Sequence, residues 1–213
     1  MILNITNGDF FDQHFHTIYQ EPSIPFREAM MTGTTVPQVF SKEFISHRAT
    51  ALNITETHYL QQISPLLQSI QHSNHLRLWF GEDSFCQLNL LTLLAYLEQE
   101  GFEGEITLNL IDDQSLSIIA QDLSVTLGFY QDLYNAILVH HSLAKAQGVI
   151  SQKAVDLYFD FLSPNGALAK LIKSNPAESD ERLLILLMDH SLDYGLSDVQ
   201  ALELIKTHRP PKT

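Results

Sequence analysis

Cysteine is almost absent from this chain: Cys86 is the only one in 213 residues. That excludes an intrachain disulfide and a four-thiolate zinc ribbon within one chain, and it fits a reducing compartment. Long apolar runs are missing as well, because no stretch reaches the ~18 consecutive apolar residues of a membrane-spanning helix. At the amino terminus Asn4, Asn7 and Asp9 interrupt the apolar residues at once, which is unlike the basic start and apolar middle of a secretory signal. A cytoplasmic protein with no membrane segment is expected. Glycine and proline are sparse, nine and eight, while 45% of the residues are hydrophobic. The chain therefore has material for a real core and does not read as disordered.

Positive charge is the other scarcity. Twelve Lys and Arg stand against 25 Asp and Glu, a formal charge of −13. Residues 1–113 hold only Arg27, Lys42, Arg48 and Arg77 against fourteen acids, a balance of −10, and residues 114–213 have a balance of −3. Nucleic-acid binding needs clustered Lys and Arg, so it is disfavoured. In such an acidic half, each arginine is expected to be committed to a carboxylate or a phosphate.

What is present is a pattern of strands and helices. The stretch Leu76 to Leu97, LRLWFGEDSFCQLNLLTLLAYL, reads as a buried strand, a glycine-acid turn and a long apolar helix. The opening MILNITNGDFF repeats the pattern on a smaller scale. Further strands are expected at 24–27 and 105–111. Helices are expected from Asp9 to Tyr19, after Ser41, and over 55–71 with Pro65 kinking or splitting it. The long helix should start with a Ser84–Gln87 capping box and stop at Gly101. Strands separated by helices predict an α/β fold with a small, mainly parallel sheet of about four strands over residues 1–113. After Asp113 the strand signal vanishes. Helical spacing at 122–127, 130–147, 151–162, 165–173, 179–191 and 197–206 predicts an all-helical domain over 114–213, ending in a frayed tail at Arg209-Pro210-Pro211.

Ligands collect outside the carboxyl ends of strands in an open parallel sheet. Asn7-Gly8-Asp9 and Gly81-Glu82-Asp83 are expected there side by side. Asp9 and Asp83 either position a metal or a sugar hydroxyl, work as acid and base, or cap the helices behind them. Arg27 and Arg48 grip a phosphate or carboxylate if both reach that rim; otherwise they pair with Glu28, Glu43 or Asp9. Gln87 would orient one of the aspartates. Neither turn has the glycines of a dinucleotide fingerprint or the lysine of a phosphate loop, so cofactor and catalytic residues stay open. Cys86 reads as a buried thiol. His14/His16 and His140/His141 cannot turn both rings to one face, His72/His75 at i, i+3 lacks a third ligand, and no histidine metal site is expected. Gly195-Leu196-Ser197 joins two short helices among acids, a poor setting for reading DNA.

The segments ITNGD, IPFREAMMTG, FISHRATAL and LWFGEDSFCQLNLLTLLAYL, in that order, resemble the bacterial domain-of-unknown-function family DUF-eighteen-thirty-five. The similarity covers residues 1–113, and YGLSDVQALELI is similar to the family's variable C-terminal part. The resemblance implies that Asn7, Gly8, Asp9, Arg27, Gly33, Arg48, Asp83 and Gln87 occupy motif positions. Glu28 stands where the family commonly has aspartate, and Gly33-Thr34 where it has Gly-Pro. The expectation is a protein that binds a small phosphorylated or nucleotide-like anion through Asn7, Gly8, Asp9, Arg27, Arg48, Asp83 and Gln87. The alternative is a protein-interaction or regulatory module without catalysis, marked by an exposed patch of Phe129, Tyr130, Tyr134 and Tyr158. A protein partner or homo-oligomer stays open under either reading.

Overall fold

A computed structural model describes residues 1–112 and 114–209. Its centre is a five-stranded sheet of β1 (Ile2–Asn7), β2 (Ser23–Phe26), β3 (His75–Gly81), β4 (Glu105–Ile111) and β5 (Ile118–Ser124), in the order β2-β1-β3-β4-β5. The first four strands are parallel, and β5 pairs antiparallel with β4. The expected α/β class and mainly parallel sheet are therefore present.

Side chains alternate across a strand, so each strand feeds two faces. Leu3 and Ile5, Leu76, Leu78 and Phe80, and Ile106 and Leu108 enter the main core. Asn4 and Thr6, Trp79, and Asn109 and Ile111 lie on the other face. That face is covered by α1 (Gly8–Tyr19), whose Phe11 and Phe15 pack on Trp79 and Ile111. The main face is covered by α2 (Lys42–Ala51), α3 (Glu56–Gln71) and α4 (Ser84–Gln99). α3 continues through Pro65 as one helix. α4 is buried on nearly every side, because the sheet lies on one flank and the later helices on the other. It ends as its sequence predicts, with Gly101 at φ +65°.

Two expectations after residue 113 are corrected. Residues 122–127 do not form a helix, because 118–124 are the strand β5. A bulge hides its alternation: the register steps from Leu108↔Leu123 to Leu110↔Ala120. At the bulge Asp122 takes φ +51°, and its backbone N–H donates to Asn109 Oδ1. The helix expected over 130–147 is shorter, with α5 (Tyr130–Tyr134) widening into a π-helical turn at Asn135–Val139. His140 N–H then closes on Asn135 O, and His141 turns away at φ +47°.

The remaining helices are α6 (Gln152–Leu162), α7 (Ala167–Ser174), α8 (Asp180–His190) and α9 (Asp198–His208), with a 3₁₀ turn at Leu192–Tyr194 before α9. The boundary expected at 113/114 does not divide the core. The sheet takes its last strand from beyond it, and one apolar cluster runs from Leu3 and Phe80 through Tyr134 and Val155 to Ile205. Asp113 and residues 210–211 of the expected tail lie outside the described residues. Arg209 is held by Glu178 O and Asp180. Among the described residues, no helix is long and apolar enough to cross a membrane.

Candidate functional site

β1 and β3 are neighbours in register, Thr6 beside Trp79, so the turns Asn7-Gly8-Asp9 and Gly81-Glu82-Asp83 meet on one rim. Strand order also reverses here, since β2 lies on one side of β1 and β3 on the other. Gly8, at φ +80°, lets the chain pass straight from β1 into α1.

The crevice at this reversal is filled by the protein itself. Asn89 of α4 donates to Asn7 Oδ1 at 3.0 Å and to Glu28 O at 2.7 Å, and its Oδ1 accepts from Met30 N–H at 3.0 Å. Asn7 Nδ2 in turn donates to Cys86 Sγ at 2.8 Å. Asn89 was not singled out in the sequence, although a polar residue inside an otherwise apolar helix was a readable signal.

The two arginines do not converge. Arg27 Nε and Nη2 both donate to Asp9 Oδ1 at 2.8 Å, in a partly exposed pair on the rim. Arg48 is fully buried, and its guanidinium bonds Glu28 Oε1 and the carbonyls of Ala29, Thr32 and Thr34. Its role is therefore corrected from anion ligand to internal brace. The other Glu28 oxygen accepts from Tyr59 O–H at 2.7 Å. Burial, and then the Glu28 carboxylate, push the Tyr59 hydroxyl far above its ordinary range. Gly33 is needed in the braced loop: φ is +79°, and a Cβ there would lie 2.2 Å from Ala51 Cβ.

Asp83 caps α4 by accepting from Cys86 N–H at 2.8 Å. The expected Ser84–Gln87 capping box is thus replaced by a single side-chain cap one residue earlier. Ser84 Oγ donates instead to Ala154 O. Gln87 is buried, with Nε2 donating to Gly81 O and Oε1 accepting from Ser151 N–H. It joins the end of β3 to the start of α6, so the expected ligand-orienting role is replaced by a structural tie.

Beside these turns, at the carboxyl ends of β3 and β4, opens a cleft of about 350 Å³. Glu82, Asp83, Ile111 and Asp112 line it from the strand ends, Ile119 from β5, and Lys153, Leu192 and Asp193 from the helical half. Lys153 Nζ lies 2.7 Å from Asp193 Oδ1. Asp112 accepts from the Ser115 backbone N–H, from its hydroxyl and from Gln114 N–H, which holds its carboxyl below the usual range. Gly195 closes against the rim, where a Cβ would come within 2.2 Å of Asp83 Oδ1. No local spacing announces Lys153, Leu192 and Asp193, because the fold alone brings them to the rim.

Other candidates resolve into local structure. His14 and His72 bond main-chain carbonyls one helical turn back. Among the described residues, no group of three or more His, Cys, Asp and Glu is arranged to hold a metal ion. Tyr130, Tyr134 and Tyr158 are core residues, so the exposed aromatic patch that would mark a docking module is not formed by them. Set beside protein-family models, curated proteins and solved structures, the chain matches none.

Proposed function

We propose that the protein binds a small polar molecule in the cleft at the carboxyl ends of β3 and β4. The observation that carries this reading is the cleft itself: about 350 Å³, charged, and open at the carboxyl ends of parallel strands, beside the self-filled crevice of the strand reversal. The expected anion would find Arg27 already tied to Asp9 and Lys153 already tied to Asp193, so the reading keeps the place and leaves the ligand's charge to the cleft. A second proposal follows from the sequence segments given above: the chain is a divergent member of the DUF-eighteen-thirty-five family. In that case Arg48 would be a folding residue of the motif.

A ligand that binds only the native state raises the melting temperature. A thermal-shift screen of nucleotides, sugar phosphates, amines and divalent ions should return at least one such rise, and Ile119→Trp, which fills the cleft from β5, should remove it. A rise unchanged in Ile119→Trp would place the ligand elsewhere and overturn the reading.

A further inference from the structure

The site rests on the strand-end cleft, and the inference here, which depends on that reading, concerns its occupant. Four carboxylates, from Glu82, Asp83, Asp112 and Asp193, face one ammonium, that of Lys153. Asp83 is engaged by a backbone N–H and Asp112 by Ser115. Between the acids stand apolar side chains left open to solvent: Ile119 is 47% exposed and Leu192 61%. An anion entering here meets a negative field on a chain of formal charge −13. A ligand with methylenes and positive ends meets complementary surface at each point.

The protein already supplies one such group. Lys153, an aliphatic chain ending in an ammonium, sets that ammonium on Asp193, with 65% and 63% of the two side chains exposed. An ion pair that open contributes no more than ~1 kcal/mol, so a ligand ammonium can displace it.

We propose that the cleft binds a free aliphatic diamine or polyamine, with methylenes against Ile119 and Leu192 and ammonium groups on Glu82 and Asp193, releasing Lys153. Calorimetric titration of the full chain with cadaverine and spermidine tests it. Removing the competing ammonium in Lys153→Ala should tighten amine binding about threefold, and the double variant Glu82→Gln, Asp193→Asn should weaken it about tenfold, as expected for partly exposed charge pairs. Neither variant touches the cap at Asp83. Ile119→Trp should abolish binding.

The sign of the Lys153→Ala effect decides the class, because the same change weakens any anion held there. Spermidine binding that ignores all three variants is diffuse attraction to an acidic surface and overturns the proposal. Tighter binding of Nα-acetyl-lysine amide than of cadaverine would replace a free amine with a protein side chain and also overturn it. If ATP or inorganic phosphate binds, is blocked by Ile119→Trp, and amines do not bind, the amine proposal fails while the cleft reading stands. If nothing in either set binds, both fall.

Discussion

Arg48 lays Nε and Nη2 on the same carboxylate oxygen of Glu28, at 3.0 and 2.8 Å, with both side chains closed to solvent. Removing one partner of such a pair strands a buried charge and costs about 3–5 kcal/mol. Arg48→Ala should therefore lose that much in urea unfolding. Arg48→Lys should recover little, because an ammonium cannot reproduce the planar fork.

The loop that Arg48 braces admits only glycine at position 33. Gly33→Ala places a methyl against Ala51 at a positive φ, and the expected loss exceeds ~1 kcal/mol. The urea midpoint should fall while the circular dichroism of the native state stays the same.

Asn89 serves three partners in the crevice. Asn89→Leu leaves Asn7 Oδ1, Glu28 O and Met30 N–H without it, at about 1–3 kcal/mol for each buried group left unpaired. Hydrogen exchange should show it locally, with the Met30 amide losing protection before the amides of β4.

Alkaline pH should unfold the protein through its tyrosines. Burial pushes the Tyr158 hydroxyl up to about 12 and raises Tyr59, Tyr134 and Tyr194 further. The folded chain therefore holds protons that the unfolded chain releases near ~10. Stability from these groups is complete below that value and is lost as pH rises toward the folded values, at about 1.4 kcal/mol per pH unit for each tyrosine. Tyrosinate absorbance should appear together with the loss of helical dichroism. Tyr158→Phe should make the decline shallower.

A chain stopped after residue 113 should not fold alone. It would lack β5, and α4 would lose the helices that cover its outer flank. Circular dichroism of the fragment should show no cooperative thermal transition, whereas the full chain melts in one step.

Much of the sheet was legible. The four parallel strands show apolar runs or alternation, β1 and β3 ended by Asn7-Gly8 and Gly81-Glu82, and their edges fall within a residue or two of expectation. β5 was not, because the bulge at Asp122 breaks its period of two. The π turn at Asn135–Val139 was hidden too, since its apolar spacing passes for an ordinary helix. Of the site, the meeting of the two acid-bearing turns was readable. The partners of the arginines, Asp9 and Glu28, stood among the expected alternatives; the complete burial of Arg48 was not readable, because position 48 follows one chemistry on a surface and another beside a buried Glu28. The far wall of the cleft could not be read at all, as Lys153 and Asp193 are distant in sequence from the strand ends they face.

The interior place of β1 bears on how the protein is made. During synthesis β1 acquires β2 early, but its other neighbour starts only at His75. Until then one row of its main-chain donors and acceptors stands unpaired, a template for any passing strand. Overproduction at high nascent-chain density should therefore favour co-aggregation through Ile2–Asn7, and slowing initiation should relieve it.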